Sequence, residues 1–204
     1  TLDHNHGGYG GLYYMDDEGR TWDQKEMDFI VWAIEKGDFQ SFKGQDFGTG
    51  TSRCTIPHNF EFTNYDGGGA SGSAELYDFY GSYVIVEVGG FWCGPCKLAA
   101  EEMQKIWIEN SGEVAIISFM TSNKDHEKPN EEDMISWIYD HGITYYISPD
   151  APTLIMDIMG GGIPLYLVFG PSKAAEQDFL FLDYFEGFPD NFEGYVQDVL
   201  EGEY

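Results

Sequence analysis

Cys93 and Cys96 stand three residues apart in the segment Phe91-Trp92-Cys93-Gly94-Pro95-Cys96-Lys97, the strongest chemical signal in the 204-residue chain. A thiol exchanges with a disulfide only as the thiolate, and the free N–H groups and dipole of a helix N-terminus stabilise that anion. The segment suits such a site. Pro95 fits the first turn of a helix, where its missing N–H costs nothing, and Cys96 follows Cys93 by about one helical turn. Cys93 is the expected nucleophile, and Cys96 the thiol that attacks the mixed disulfide and releases the reduced substrate. Other uses of two thiols stand beside this one. A closed zinc site needs four ligands, and no second Cys or His pair at short spacing completes it, so no metal is expected; two nearby thiolates also suit Cu(I). His4 and His6 read as solvated, and His58, His126 and His141 are isolated. Cys54 reads as a buried, inert thiol, and three cysteines cannot form a disulfide framework.

A helix-terminal thiol needs a strand before it and a helix after it. Tyr83-Val84-Ile85-Val86-Glu87-Val88 is apolar on both faces, as a central buried strand should be, and Cys96 to Glu109 reads as a helix with Leu98, Met103, Ile106 and Trp107 available for its buried side. Further strands are expected at Asn59 to Thr63, Val114 to Met120, Thr144 to Ile147, Leu165 to Phe169 and Phe179 to Phe185, and helices at Asn130 to His141, Pro152 to Met159 and Asn191 to Leu200. Asn64 to Gly72 reads as a glycine-rich turn. Strands separated by helices predict an α/β layered sheet. Upstream, Thr21 and Gln24 form a capping-box pattern ahead of Met27, Ile30, Val31 and Ile34, which predicts a helix at about residues 22–36. The polar, glycine-bearing stretch after it places a boundary near residue 52, giving an extension over 1–51 and a main domain over 52–204.

Composition narrows the partners. The chain has 36 acidic against 10 basic side chains, a formal charge of -26, and so is repelled by phosphate backbones and anionic lipid head groups. Nucleic acid is not an expected partner. A hydrophobic share of 42% and an aromatic share of 17% exceed what a disordered acidic tail carries, so the chain folds around a core. No apolar run approaches the ~18 residues that span a bilayer. The chain as given is expected to be soluble, with any export signal already removed or never present.

Two motifs in this order, WCGPCK after a buried strand and later Gly162-Ile163-Pro164-Leu165-Tyr166-Leu167-Val168-Phe169, resemble the thioredoxin superfamily. In that family the second segment carries a cis-proline facing the active site. The resemblance implies a cis Ile163–Pro164 bond, with Ile163 pairing with extended substrate backbone. Ile56 to Phe62, Asp66-Gly67 and Leu76 to Gly81 further resemble the β-hairpin entry of TlpA/ResA-type members, which also insert a helix and a strand before the cis-proline, here Glu131 to His141 and Tyr145 to Ile147. The likeness covers about residues 52–200. It implies a thioredoxin-like fold with a central mixed β-sheet flanked by helices, and an extracytoplasmic, periplasmic or secreted thiol-disulfide oxidoreductase whose only redox group is the Cys93–Cys96 dithiol. Its implied partners are protein thiols and disulfides and an upstream electron donor. Gly94-Pro95 resembles the reducing type, and Trp92, Gly94, Pro95, Ile163 and Pro164 are the expected substrate contacts.

Glu87 lies six residues before Cys93, where thioredoxins carry a buried acid that exchanges a proton with the second cysteine. A carboxylate in a Val/Ile strand is costly unless neutral or hydrogen-bonded, so its pKa is expected to be raised. Gly89 and Gly90 replace the bulkier residues usual in that family just before the motif, which leaves room beside Cys93 or relaxes packing. Glu101 replaces a helix-kinking proline, so the helix is expected to run straighter. Two other functions remain in view. One is a binding, assembly or copper-handling module that keeps the fold. The other is a thiol peroxidase, although Glu87 to Cys93 does not match the Pro-x-x-x-Thr-x-x-Cys context of that chemistry.

Overall fold

The computed structural model describes residues 13–15, 21–23, 55–110, 112–153, 155, 162–172 and 177–202. Two short strands, β1 (Tyr13–Met15) and β2 (Thr21–Asp23), pair antiparallel. The expected helix at 22–36 therefore cannot begin at residue 22. Tyr, Thr and Trp favour a pleated pairing, and here that preference overrides the capping-box pattern at Thr21; residues 24–36 lie outside the described residues, as do Cys54, His4 and His6.

From residue 55 the chain builds one core. An antiparallel hairpin comes first, β3 (Glu61–Asp66) and β4 (Gly69–Glu75), followed by a 3-10 turn at Leu76–Phe79. The turn between the strands is only Gly67-Gly68, because the Asp66 carboxylate accepts the Gly68 N–H at 2.7 Å and closes an Asx turn. Most of the stretch expected as a turn over Asn64 to Gly72 is thus strand. Then follow β5 (Tyr83–Gly90), α1 (Gly94–Glu109), β6 (Val114–Ser122), α2 (Glu131–His141), β7 (Tyr146–Ser148), β8 (Leu165–Ser172), β9 (Gln177–Glu186) and α3 (Phe192–Glu201).

The sheet has five strands in the order β7-β6-β5-β8-β9. β5, β6 and β7 are parallel, while β8 and β9 are each antiparallel to their neighbours, so the sheet is mixed. All eight residues of β5 are buried, as an apolar central strand covered on both faces must be. α1 buries Cys96, Ala99, Ala100, Met103 and Ile106, a helical stripe that fixes its N-terminus at the end of β5. It runs unbroken through Glu101 for 16 residues. Asn130 caps α2 by accepting from Asp133 N–H, and Gly142 ends it in the left-handed conformation that glycine tolerates. The hairpin is tied to the sheet edge: Asn64 accepts from Ile147 N–H at 2.9 Å, and Phe62 packs edge-on against Phe119 and Tyr146. Among the described residues, no helix is long and apolar enough to cross a membrane.

Candidate active site

β5 delivers the chain to the two cysteines and α1 begins on them. Cys93 is the N-cap residue of α1 and forms a disulfide with Cys96. The Cys96 N–H donates to Cys93 Sγ at 3.1 Å, so a donor of the first helical turn is aimed at this sulfur; in the reduced state the same donor would hold a thiolate. Cys93 keeps 4% of its surface exposed and Cys96 none, which leaves Cys93 as the sulfur a substrate can reach. Gly94, Pro95 and Lys97 are exposed around it, and Trp92 is 46% exposed.

The segment before β8 faces the disulfide. Ile163–Pro164 is a cis peptide bond, as the resemblance implied, and the Ile163 carbonyl oxygen lies 3.8 Å from Cys93 Sγ. Next to it, Gly162 lies close against Glu186, where a Cβ would stand 2.6 Å from a carboxylate oxygen. The Pro164 carbonyl is held by Gly187 N–H at 2.7 Å.

Glu87 sits on β5 directly between Ser118 of β6 and Tyr166 of β8 in the strand register. Residues opposite each other in neighbouring strands share a face, so the three form a polar row under α1. Glu87 is 1% exposed. Ser118 donates to its Oε2 at 2.6 Å, and its Oε1 has no protein partner. Burial raises the Glu87 carboxyl to about 7, with the Ser118 hydrogen bond working against that rise. The buried hydroxyl of Tyr166 also lacks a protein partner; burial, then the charge of Glu87, push the phenols of Tyr145 and Tyr166 far up, with Ser118 working against the rise at Tyr145, and both stay protonated.

The two glycines between Glu87 and the cysteines set the spacing. A Cβ on Gly89 would stand 3.3 Å from Cys96 Sγ and 3.4 Å from Glu87 Oε1; the missing side chain leaves the acid and the buried thiol facing each other. A Cβ on Gly90 would stand 2.8 Å from Ser122 Oγ, 3.1 Å from Trp92 Nε1 and 3.4 Å from Ile163 Cδ1. The space beside the missing side chains is filled by neighbouring atoms, and the sulfur nearest a Gly89 Cβ is that of Cys96, where the expectation placed the room beside Cys93. A bulge at Gly89/Gly90 in the β5–β6 pairing accompanies the change of direction.

Ser118, Tyr145 and Tyr166 join the site unannounced by the sequence reading. Ser118 carried the same signal as Glu87, a polar residue in a strand otherwise apolar, whereas Tyr166 was hidden inside an apolar run. His126, read as isolated, lies against Trp92 with ring centroids 4.9 Å apart. Among the described residues, no group of three or more His, Cys, Asp or Glu is placed to hold a metal ion.

No protein-family model matches the chain, and no curated protein matches it in sequence. Solved structures do resemble it. A candidate thiol:disulfide interchange protein DsbE from Chlorobium tepidum aligns at a TM-score of 0.56 with 17% identity, over 76% of this chain and 100% of its own. A candidate protein disulfide isomerase from Bacteroides thetaiotaomicron aligns at 0.55 with 17% identity, over 72% and 86%. A candidate thioredoxin from Neisseria meningitidis aligns at 0.54 with 16% identity, over 74% and 91%. With its mixed sheet, its Cys-Gly-Pro-Cys helix start and its facing cis-proline, the chain has the thioredoxin-like fold.

Proposed function

We propose that this protein is a dithiol–disulfide oxidoreductase that reduces disulfides in polypeptides. The observation that carries the reading is the placement of Cys93 Sγ at the start of α1, in disulfide with Cys96 and 3.8 Å from the Ile163 carbonyl. In the reduced protein, the Cys93 thiolate attacks one substrate sulfur, forming a mixed disulfide and expelling the other as a thiolate that takes up a proton. Cys96 then loses its proton and attacks Cys93, which expels the second substrate sulfur and leaves the Cys93–Cys96 disulfide. Two electrons pass from the protein to the substrate. A dithiol donor upstream must return them before the next cycle.

Each remaining site residue has a step. Glu87, with a carboxyl at about 7, accepts the Cys96 proton across the space that Gly89 leaves, close to the pH at which such a base works best. Ile163 offers its backbone to an extended substrate strand, and Pro164 holds that peptide facing Cys93. Trp92, Gly94 and Pro95 form the exposed rim. Gly94-Pro95 favours the reducing direction, and the TlpA/ResA-type resemblance supports an extracytoplasmic setting.

Insulin-disulfide reduction with a dithiol donor tests the reading. Wild type should be active, and Cys93→Ser should lose the activity. Cys96→Ser should accumulate mixed disulfides on Cys93. Equal activity of wild type and Cys93→Ser would reject the catalytic assignment.

A further inference from the structure

The loop after β6 holds a residue that the exchange chemistry does not require. Buried Asn123 closes this loop on itself: its Oδ1 accepts from Asp125 N–H at 2.9 Å and Glu127 N–H at 3.1 Å, and its N–H donates to the Glu127 carbonyl at 2.7 Å. Its Nδ2 donates to Asp133 of α2 at 3.1 Å, which anchors the loop to the domain. Inside it, His126 takes a φ of 64°, a left-handed conformation that residues with a side chain seldom adopt unless their surroundings hold them there. The result is that an exposed imidazole is pressed against the indole of Trp92, ring centroids 4.9 Å apart.

Trp92 is fixed from a second direction as well. Its Nε1 donates to Ser122 Oγ at 2.7 Å, in space that a Cβ on residue 90 would crowd. Even so held, the indole keeps 46% of its surface exposed, immediately before Cys93. An aromatic ring immobilised in advance binds at little further entropic cost, which is how rigid aromatic anchors contribute to recognition.

We propose that Trp92 and His126 form a stacking platform for an aromatic side chain beside the disulfide of a polypeptide substrate, which makes His126 a specificity-determining residue. The proposal rests on the oxidoreductase reading above. Trp92 Nε1 and Ile163 Cδ1 approach the same point at Gly90, and Ile163 O is 3.8 Å from Cys93 Sγ. A substrate strand along Ile163 with its cysteine at Cys93 therefore brings a neighbouring side chain to the indole. The two rings meet at 44°, so they offer a flat partner one face and one edge, the two arrangements aromatic pairs favour, and a chain charge of -26 disfavours an acidic one.

Two variants test it. His126→Asn removes the imidazole with a residue that tolerates the left-handed backbone, and His126→Gly does so with no conformational restriction. Reduction is followed for a peptide disulfide with Phe beside its cysteines, for the same peptide with Ser there, and for hydroxyethyl disulfide. In both variants KM for the Phe peptide should rise about two- to tenfold, with kcat and the other two substrates unchanged. An equal change for all three substrates, or none for any, would overturn the proposal. A wild type that reduces all three without preferring Phe would sink the platform alone. Failure of the wild type to reduce even hydroxyethyl disulfide would remove the oxidoreductase reading, and the platform with it.

Discussion

Ser118 donates a 2.6 Å hydrogen bond to one oxygen of Glu87 and leaves the other without a protein partner, facing Cys96 across Gly89. The carboxyl is thus half-solvated by the fold, and burial raises it from 4.5 to about 7. A raised acid pKa means that the folded state holds the proton more tightly than the unfolded chain. Its stabilising contribution is complete below pH 4.5 and is lost as pH rises through about 7. Relative to Glu87→Gln, wild type should lose about 3 kcal/mol between pH 4 and pH 8, from the size of the pKa shift. Paired urea titrations of the two proteins isolate this group, since all other carboxylates titrate in both. A stability difference independent of pH would refute the assignment.

Tyr166 lies opposite Glu87 in the β5–β8 register, with a buried hydroxyl that no protein group satisfies. At pH 5 that hydroxyl faces a neutral acid, and Tyr166→Phe removes an unsatisfied polar group at almost no loss. At pH 8 it faces a carboxylate, and its removal should cost about 1 kcal/mol and move the Glu87 titration upward. The sign of the difference between the two pH values, read by denaturation, is the observable. A loss at pH 5 as large as at pH 8 would mean that the phenol only fills space.

How far the sequence could be read depended on whether the signal was local. Val84, Ile85, Val86 and Val88 mark a buried strand by type alone, and Glu87 declares itself by breaking their pattern. Pro95 between two cysteines marks a helix start, and Ile163–Pro164 was carried by a motif. His126 could not be found this way, because its meeting with Trp92 depends on a loop folded around Asn123. Tyr166 reads as one more apolar residue until the register sets it beside an acid. At Thr21 a helix-capping pattern gave way to strand pairing with Met15, since a local preference worth about 1 kcal/mol yields readily to pairing.

The charge of -26 predicts a salt response. Ten basic side chains cannot offset 36 acidic ones even with every one paired; among the described residues Lys105 pairs with Glu102 and Lys128 with Asp150 on the surface, and such exposed pairs contribute little. Self-repulsion therefore dominates, and it weakens as the screening length falls from ~10 Å at 0.1 M to ~3 Å at 1 M salt. The melting temperature should rise over that range in sodium chloride. A flat or falling profile would show that the acidic surface is not a net burden on the fold.

Gly90 and Gly94 lie four positions apart around the site, and alanine should affect them with opposite sign. At Gly90 the new methyl would meet Ser122 Oγ at 2.8 Å and Trp92 Nε1 at 3.1 Å, so the Trp92–Ser122 hydrogen bond must break or β5 must move from β6. Overpacking of this kind costs about 1–3 kcal/mol. At Gly94, the first residue of α1, a Cβ meets nothing within 4 Å; alanine there restricts the unfolded chain and favours the helix by about 0.5 kcal/mol. Thermal unfolding of the two variants gives the sign directly. The indole N–H resonance of Trp92, assigned among the five tryptophans by its loss in Trp92→Phe, then tells whether the cost at Gly90 falls on the indole or on the sheet: an unshifted resonance with lowered stability would place it on the β5–β6 pairing.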